Sequence, residues 1–184
     1  MHLNKVFYPA VDFYYAPWQS RLTLAKQLLS MVTRFTENDL EIALYLTDWN
    51  SDNFAVDEDL KIRIVDGENF ILVDQRQLEE QQSPGFDVEH CSDGFGCRNR
   101  ICYSSEDLCT HVRSDHNVYG LCKGLLSTHA HSKTMPKGLL HSIPEGVLRR
   151  QPLLPRLLKE CAMPTHPGGR FEAVQQLLEI LRVV

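Results

Sequence analysis

The sequence predicts a mainly helical α+β domain, with a long amphipathic helix, a short β-hairpin after it and a cysteine-rich, disulfide-tied helical region towards the end. Three observations carry this: an apolar stripe at helical spacing from Trp18 to Val32, a period-two stretch from Leu60 to Ile64, and five of the six cysteines gathered between Cys91 and Cys122. The 184 residues suffice for one domain with a real core. They read as a single unit in three segments, 1–90, 91–122 and 123–184.

Pro17 is well placed in a first helical turn, and Trp18, Leu22, Ala25, Leu29 and Val32 then follow at alternating steps of four and three, which puts them on one helix face. Asn38-Asp39 marks a break, and Leu40 to Leu46 is an apolar-rich stretch leading into Asp48. Phe54-Ala55-Val56 is a short apolar run, and Asp57-Glu58-Asp59 an acidic turn. Leu60, Ile62 and Ile64 next alternate with Lys61 and Arg63, as in a half-buried strand. The two runs form a hairpin, with Asn53 at one end and Asp66 at the other. Beyond Cys122 the pattern is helices with loop breaks. Leu153, Leu157 and Leu158 lead to Cys161 as a short apolar face, Pro164 to Gly169 is a breaker, and Phe171, Val174, Leu177, Leu178 and Leu181 form a core-packing stripe.

A hairpin brings its ends together, so Asn53 and Asp66 are expected to meet at one edge, close behind Asp48. The order Asp, Asn, Asp, with intervals of five and thirteen residues, is that of the catalytic lobe of protein kinases. There the first Asp is the base and the other two residues hold Mg²⁺. The chemistry explains the residue types: a carboxylate positions the attacking hydroxyl, and oxygen-ligated metal ions steady the charge on the moving phosphate. The competing reading is a solvated acidic loop beside an inert hairpin.

Hydrophobic content of 43% and charged content of 23% are ordinary for a globular chain, and no stretch approaches the roughly 20 apolar residues of a transmembrane helix. The start, MHLNKVFYPAVDFYY, has no basic region followed by an apolar core, so no signal peptide is read there. The net charge of −5 is divided: 10 basic and 20 acidic residues through Cys122 give −10, and 9 basic and 4 acidic residues from Lys123 onward give +5. An acidic half suits a metal-dependent site better than a nucleic-acid surface, so no nucleic-acid partner is expected. The basic tail is expected to be solvated or to pack on the acidic half.

Cys91, Cys97, Cys102, Cys109, Cys122 and Cys161 are even in number and irregular in spacing, with no C-x-x-C pair. That pattern fits zinc poorly and a disulfide-tied region in an oxidising compartment better, although spacing does not choose among the pairings. Free thiols in the cytosol are the rival reading. His90, His111 and His116 fall at no ligand spacing and are expected to be surface or satisfied histidines. Gly94-Phe95-Gly96, the one glycine-dense piece, reads as a turn.

Taken together, YLTDWNSDNFAVDEDLKIRIVDGEN, CSDGFGCRNRICYSSEDLC, DHNVYGLC, GLLH, LLKECAMP and GRFEAVQQLLEIL resemble the divergent protein kinase domain family of the secretory pathway, in the branch of the deleted-in-autism protein and its relative. The resemblance runs from about Trp18 to Leu181, with its separated motifs in the family order. It implies a kinase-like C-terminal lobe with a cysteine-rich region, secreted or resident in the Golgi lumen. It also implies Asp48 as base, Asn53 and Asp66 as metal ligands, and Mg²⁺ and ATP as cofactors.

Several departures bear on activity. Leu46-Thr47 stands where His-Arg is usual, Asn50 where many kinases have Lys, and the metal-binding triplet reads Asp66-Gly67-Glu68, without its Phe. No A-P-E follows, and only 47 residues precede Asp48, so the Gly-rich loop, strand Lys and helix Glu of an N-terminal lobe are not found. The expectation is therefore a lower lobe whose partner is the missing N-lobe of a longer chain, with negligible transfer activity alone. The alternative is a secreted pseudokinase-type signalling protein, binding a cell-surface receptor or a secretory-pathway protein through its surface. A metal-dependent hydrolase ranks last, for want of histidine ligands near the triad.

Overall fold

The computed structural model describes residues 7–68, 70–81, 114–128, 135–166 and 168–184. Elements are numbered among these. In chain order they are β1 (Phe7–Pro9), a 3₁₀ turn (Ala10–Tyr15), α1 (Trp18–Thr36), β2 (Ile42–Leu46), a 3₁₀ turn (Ser51–Asn53), β3 (Phe54–Asp57), β4 (Ile62–Ile64), β5 (Phe70–Asp74) and α2 (Gln75–Gln81). After 82–113 come α3 (His116–Leu121), continued as a π-turn (Cys122–Leu126), α4 (Glu145–Arg150), α5 (Leu154–Ala162) and α6 (Gly169–Arg182).

The predicted helix is α1, begun at Pro17 and buried along Leu22, Ala25, Leu29 and Val32. Trp18 is only half-buried, and Leu24 and Leu28 are buried beside the stripe, so the apolar face is wider than the stripe alone. Around α1 pack β3–β4, the α3 π-turn segment, α5 and α6, with Leu22, Leu29, Phe54, Val56, Leu121, Leu125, Leu158 and Leu177 in one core. A smaller cluster, Ala43, Tyr45, Val73 and Tyr119, lies under β2–β5.

The described strands form two small antiparallel sheets. One has the order β1-β3-β4, with Phe54 opposite Ile64 and Val56 opposite Ile62; the other is the ribbon β2-β5, with Leu46 opposite Phe70. The hairpin is tighter than its sequence pattern: Leu60 lies in the turn at φ 57°, not in the strand. Asp57 makes that turn. Its Oδ1 accepts the amides of Asp59 (3.1 Å) and Lys61 (2.9 Å), an Asx-type turn that satisfies a buried carboxylate with backbone N–H groups. β5 was not anticipated, nor was β1 with its following 3₁₀ turn.

In the same core, α5 and α6 pack against each other through Leu157, Leu158, Val174, Leu177 and Leu181. Leu153, counted on the apolar face of α5, is about half exposed, and Leu154 takes the buried position instead. Cys122 and Cys161 stand at disulfide distance, Cα atoms 5.6 Å apart, tying the π-turn to α5. Cys91, Cys97, Cys102 and Cys109, with His90, His111 and Gly94 to Gly96, lie outside the described residues. Buried Arg170 on α6 donates from Nε to the Cys161 carbonyl (2.9 Å), ion-pairs through Nη1 with buried Asp115, and lies over the Tyr119 ring (4.9 Å). At this contact the basic tail packs on the acidic half. No described helix is long and apolar enough to cross a membrane.

Candidate active site

Asp48, Asn53 and Asp66 come from the segments that link the two sheets. The ribbon β2–β5 ends at the Leu46–Phe70 pair, and the hairpin ladder runs one step past Phe54–Ile64, where the Val65 amide donates to the Asn53 carbonyl at 2.9 Å. Asp48 therefore lies two residues beyond one ladder, Asn53 at the end of the other, and Asp66 directly after Val65. Both crossings leave from the same end of the strands, which brings the triad to one side of the lobe.

The three side chains differ in setting. Asp48 is exposed, and so is Asp66, whose Oδ1 accepts the Glu68 amide at 3.2 Å. Asn53 is buried, and its Nδ2 donates to the Asp48 main-chain carbonyl at 3.0 Å. That bond closes the intervening loop on itself and commits the nitrogen end of the carboxamide, so Asn53 has its oxygen left for a cation. A carboxamide oxygen is a donor that hard divalent cations accept. Among the described residues no three His, Cys, Asp or Glu side chains gather as a metal-binding group.

What holds this loop was not visible in the sequence. Trp49, next to exposed Asp48, is buried and stacks at 5.6 Å on Phe54 of the hairpin. Its indole occupies a notch opened by Gly120 and Gly124: a Cβ on Gly120 would fall 2.0 Å from the ring, and one on Gly124 2.7 Å from the Trp49 carbonyl oxygen. The spacing Gly120-x₃-Gly124 is the one signal that could have pointed to a close approach, since glycines four apart share a helix face. Indole Nε1 has no hydrogen-bond partner among the described residues.

Strand β2, which delivers Asp48, is fastened by the start of α3. Asn117 Oδ1 accepts the Leu46 amide (3.0 Å), and its Nδ2 donates to the Leu44 carbonyl (2.8 Å) and to Thr36 Oγ1 (3.3 Å). The Ser114 amide donates to the Tyr45 hydroxyl (3.0 Å), and His116 Nε2 donates to the Leu46 carbonyl (3.0 Å). His116 is fully buried, where a surface or satisfied histidine was expected, and its Nδ1 has no partner among the described residues. Burial pushes its pKa down to about 4; the Leu46 carbonyl and the Asp115 charge oppose this only in part.

The hairpin is fastened from α1. Gln27 Nε2 donates to the Leu60 carbonyl (2.7 Å), and its Oε1 accepts the Ile62 amide (3.1 Å), so one carboxamide holds both sides of the turn. The segment after Asp66 is braced by Phe70. A Cβ on Gly67 would come 2.6 Å from the Phe70 ring, which also meets Phe35 of α1 edge-on at 6.4 Å. The triplet Asp66-Gly67-Glu68 carries no Phe of its own, yet an aromatic ring lies against its glycine from four residues after the aspartate.

A family model described as the protein-kinase domain of FAM69 matches residues 2–164. The human protein named divergent protein kinase domain 2A is 40% identical over 173 residues, covering 92% of this chain and 40% of that protein. The Xenopus tropicalis protein of the same name is 38% identical over 173 residues, covering 92% and 40%. Divergent protein kinase domain 2B of Bos taurus is 26% identical over 175 residues, covering 95% and 37%. This chain thus spans about two fifths of the length of these relatives. No solved structure matches it. With the family model covering most of the chain, and the relatives matching nearly all of it, the chain belongs to the divergent protein kinase domain family.

Proposed function

We propose that this chain is the lower, catalytic-loop-bearing lobe of a divergent kinase-like protein and retains part of a Mg²⁺-nucleotide site. In this reading the Asp48 carboxylate accepts the proton of an attacking hydroxyl. The Asn53 carboxamide oxygen and the Asp66 carboxylate hold the metal, which neutralises phosphate charge when bound. The observation that carries the reading is the Asn53–Asp48 bond at the point where both ladders end, since it sets the proposed base and ligand in one closed loop.

The rest of the machinery, a Gly-rich loop and a phosphate-gripping Lys, is assigned to the N-lobe of the longer protein. Phosphate positioning supplies much of the rate, so this chain alone is expected to transfer negligibly. The Cys122–Cys161 pair supports a secreted or Golgi-lumenal setting.

Calorimetric titration of Mg²⁺-ATP into this chain and into the longer protein, each beside Asp66→Ala, tests the site. Binding that is lost with Asp66→Ala is the expected result. Affinity unchanged by Asp66→Ala would remove the metal role.

A second reading, a pseudokinase-type signalling module that binds a receptor or secretory-pathway protein through its surface, has one specific observation in its favour. The loop carries Leu46-Thr47 in place of His-Arg, and the histidine beside it, His116, comes from α3 and bonds the Leu46 carbonyl. That reading predicts that the longer protein keeps its signalling activity when Asp48 and Asp66 are both replaced.

A further inference from the structure

His116 is a titratable side chain buried at the joint between α3 and the strand that delivers Asp48, and no step of the proposed chemistry uses it. Its Nε2–H is committed to the Leu46 carbonyl, two residues ahead of Asp48, so the neutral ring carries its lone pair on Nδ1. Nδ1 faces no donor or acceptor among the described residues. A proton added there creates a buried N–H⁺ with no acceptor among the described residues.

The charged and titratable groups around it do not relieve this. From its own element comes Asp115, already ion-paired with Arg170 of α6, so an imidazolium must compete with a guanidinium for that carboxylate. From β2 comes the Tyr45 ring, edge-on at 6.0 Å. From α1 there is only the neutral hydroxyl of Thr36, reached through Asn117.

We propose that neutral His116 is a positioning residue for the Asp48 loop, and that its protonation releases β2 and the loop from α3 while the helical core stays folded. Solvent then gives the ring what the closed form withholds: hydration of the charged imidazole and a partner for Nδ1. Hairpin β3–β4 is held separately by Gln27 and Asp57, so the release acts on β2 and the loop as far as Asn53 and leaves the hairpin paired. The opening itself does not depend on the kinase-like reading. Only its consequence, loss of a positioned Asp48, rests on that reading.

The test is hydrogen exchange on the 184-residue chain across a pH series, with protection factors corrected for intrinsic rates and no nucleotide present. A ring with pKa about 4 when closed and the ordinary 6.5 when open gives about a twentyfold rise in loop opening from pH 7 to pH 5. That rise is expected over residues 44–53 and not in α6. His116→Gln can still donate to Leu46 but cannot be protonated, and is expected to abolish the rise. An equal loss of protection in α6, or a rise that persists in His116→Gln, overturns the proposal. Should His116→Gln fail to fold, imidazole ¹⁵N shifts of the wild-type chain, assigned through the contact with Tyr45, decide the matter. Titration near 6.5 overturns the proposal, and a ring neutral below pH 5 supports it. Mg²⁺-ATP titration of the longer protein at the same two pH values separates the readings. Binding that is absent at both while the loop opens as expected counts against the nucleotide site and leaves the latch standing.

Discussion

The two small sheets reach the same site from opposite physical regimes. Hairpin β3–β4 is held within itself and from α1: Gln27 grips both sides of its turn, the Asp57 carboxylate accepts the turn amides, and every residue of β3 is buried. Ribbon β2–β5 leaves Ile42 and Leu72 exposed, and is held at its other end by α3. That anchorage leans on an ionisable histidine and, behind it, on the buried Asp115–Arg170 pair. The hairpin brings Asn53 and the ribbon brings Asp48. The metal-ligand side of the candidate site is thus tied to a carboxamide and a carboxylate, and the base side to a histidine whose pKa burial lowers.

The largest effect is expected from breaking the ribbon's support. Arg170→Ala removes the guanidinium that ion-pairs with buried Asp115, at a cost of about 3–5 kcal/mol in urea denaturation, and loosens β2 along with α3. Next comes acidification. The His116 pKa is lowered in the folded state, so its contribution is fully present above the ordinary value of 6.5 and is lost as pH falls towards about 4. The chain is therefore expected to lose roughly 3 kcal/mol over that window, and His116→Gln to lose less. Gln27→Ala attacks the hairpin instead. It leaves the Leu60 carbonyl and the Ile62 amide without their side-chain partner and is expected to cost about 1–2 kcal/mol, independent of pH. The smallest effect is at Asp48 itself: exposed Asp48→Asn is expected to change stability by no more than about 0.5 kcal/mol. A large loss there would mean that the carboxylate is structural.

The parts of the fold that were legible repeat along the chain. The α1 stripe, the hairpin alternation and the α6 stripe each announce a face through periodicity, and the triad's spacing marked the loop ends. β5 was readable too, since Phe70-Ile71-Leu72-Val73 is a short apolar run behind a turn, yet its pairing with β2 depends on a register no local pattern gives. The pins were not legible. Asn117, Arg170 and His116 are buried polar residues, and Gln27 a half-buried one, whose placement makes sense only once a distant partner is known; a sequence window sees them as surface. Leu60 misled for a related reason: its apolar side chain fits the strand pattern, while its backbone is required by the turn.

The glycine notch has a practical corollary in optics. The chain has two tryptophans, and they stand in opposite settings: Trp18 lies half-buried with the Arg21 guanidinium 5.5 Å from its ring centroid, whereas Trp49 is enclosed against Gly120 and Gly124 beside Asp48. An indole in a dry notch emits to the blue and is shielded from aqueous quenchers, and it loses both properties when water reaches it. With Trp18→Phe in the background, the protein's own fluorescence becomes a single-site gauge of whether the Asp48 loop is seated, readable in a cuvette without label or ligand.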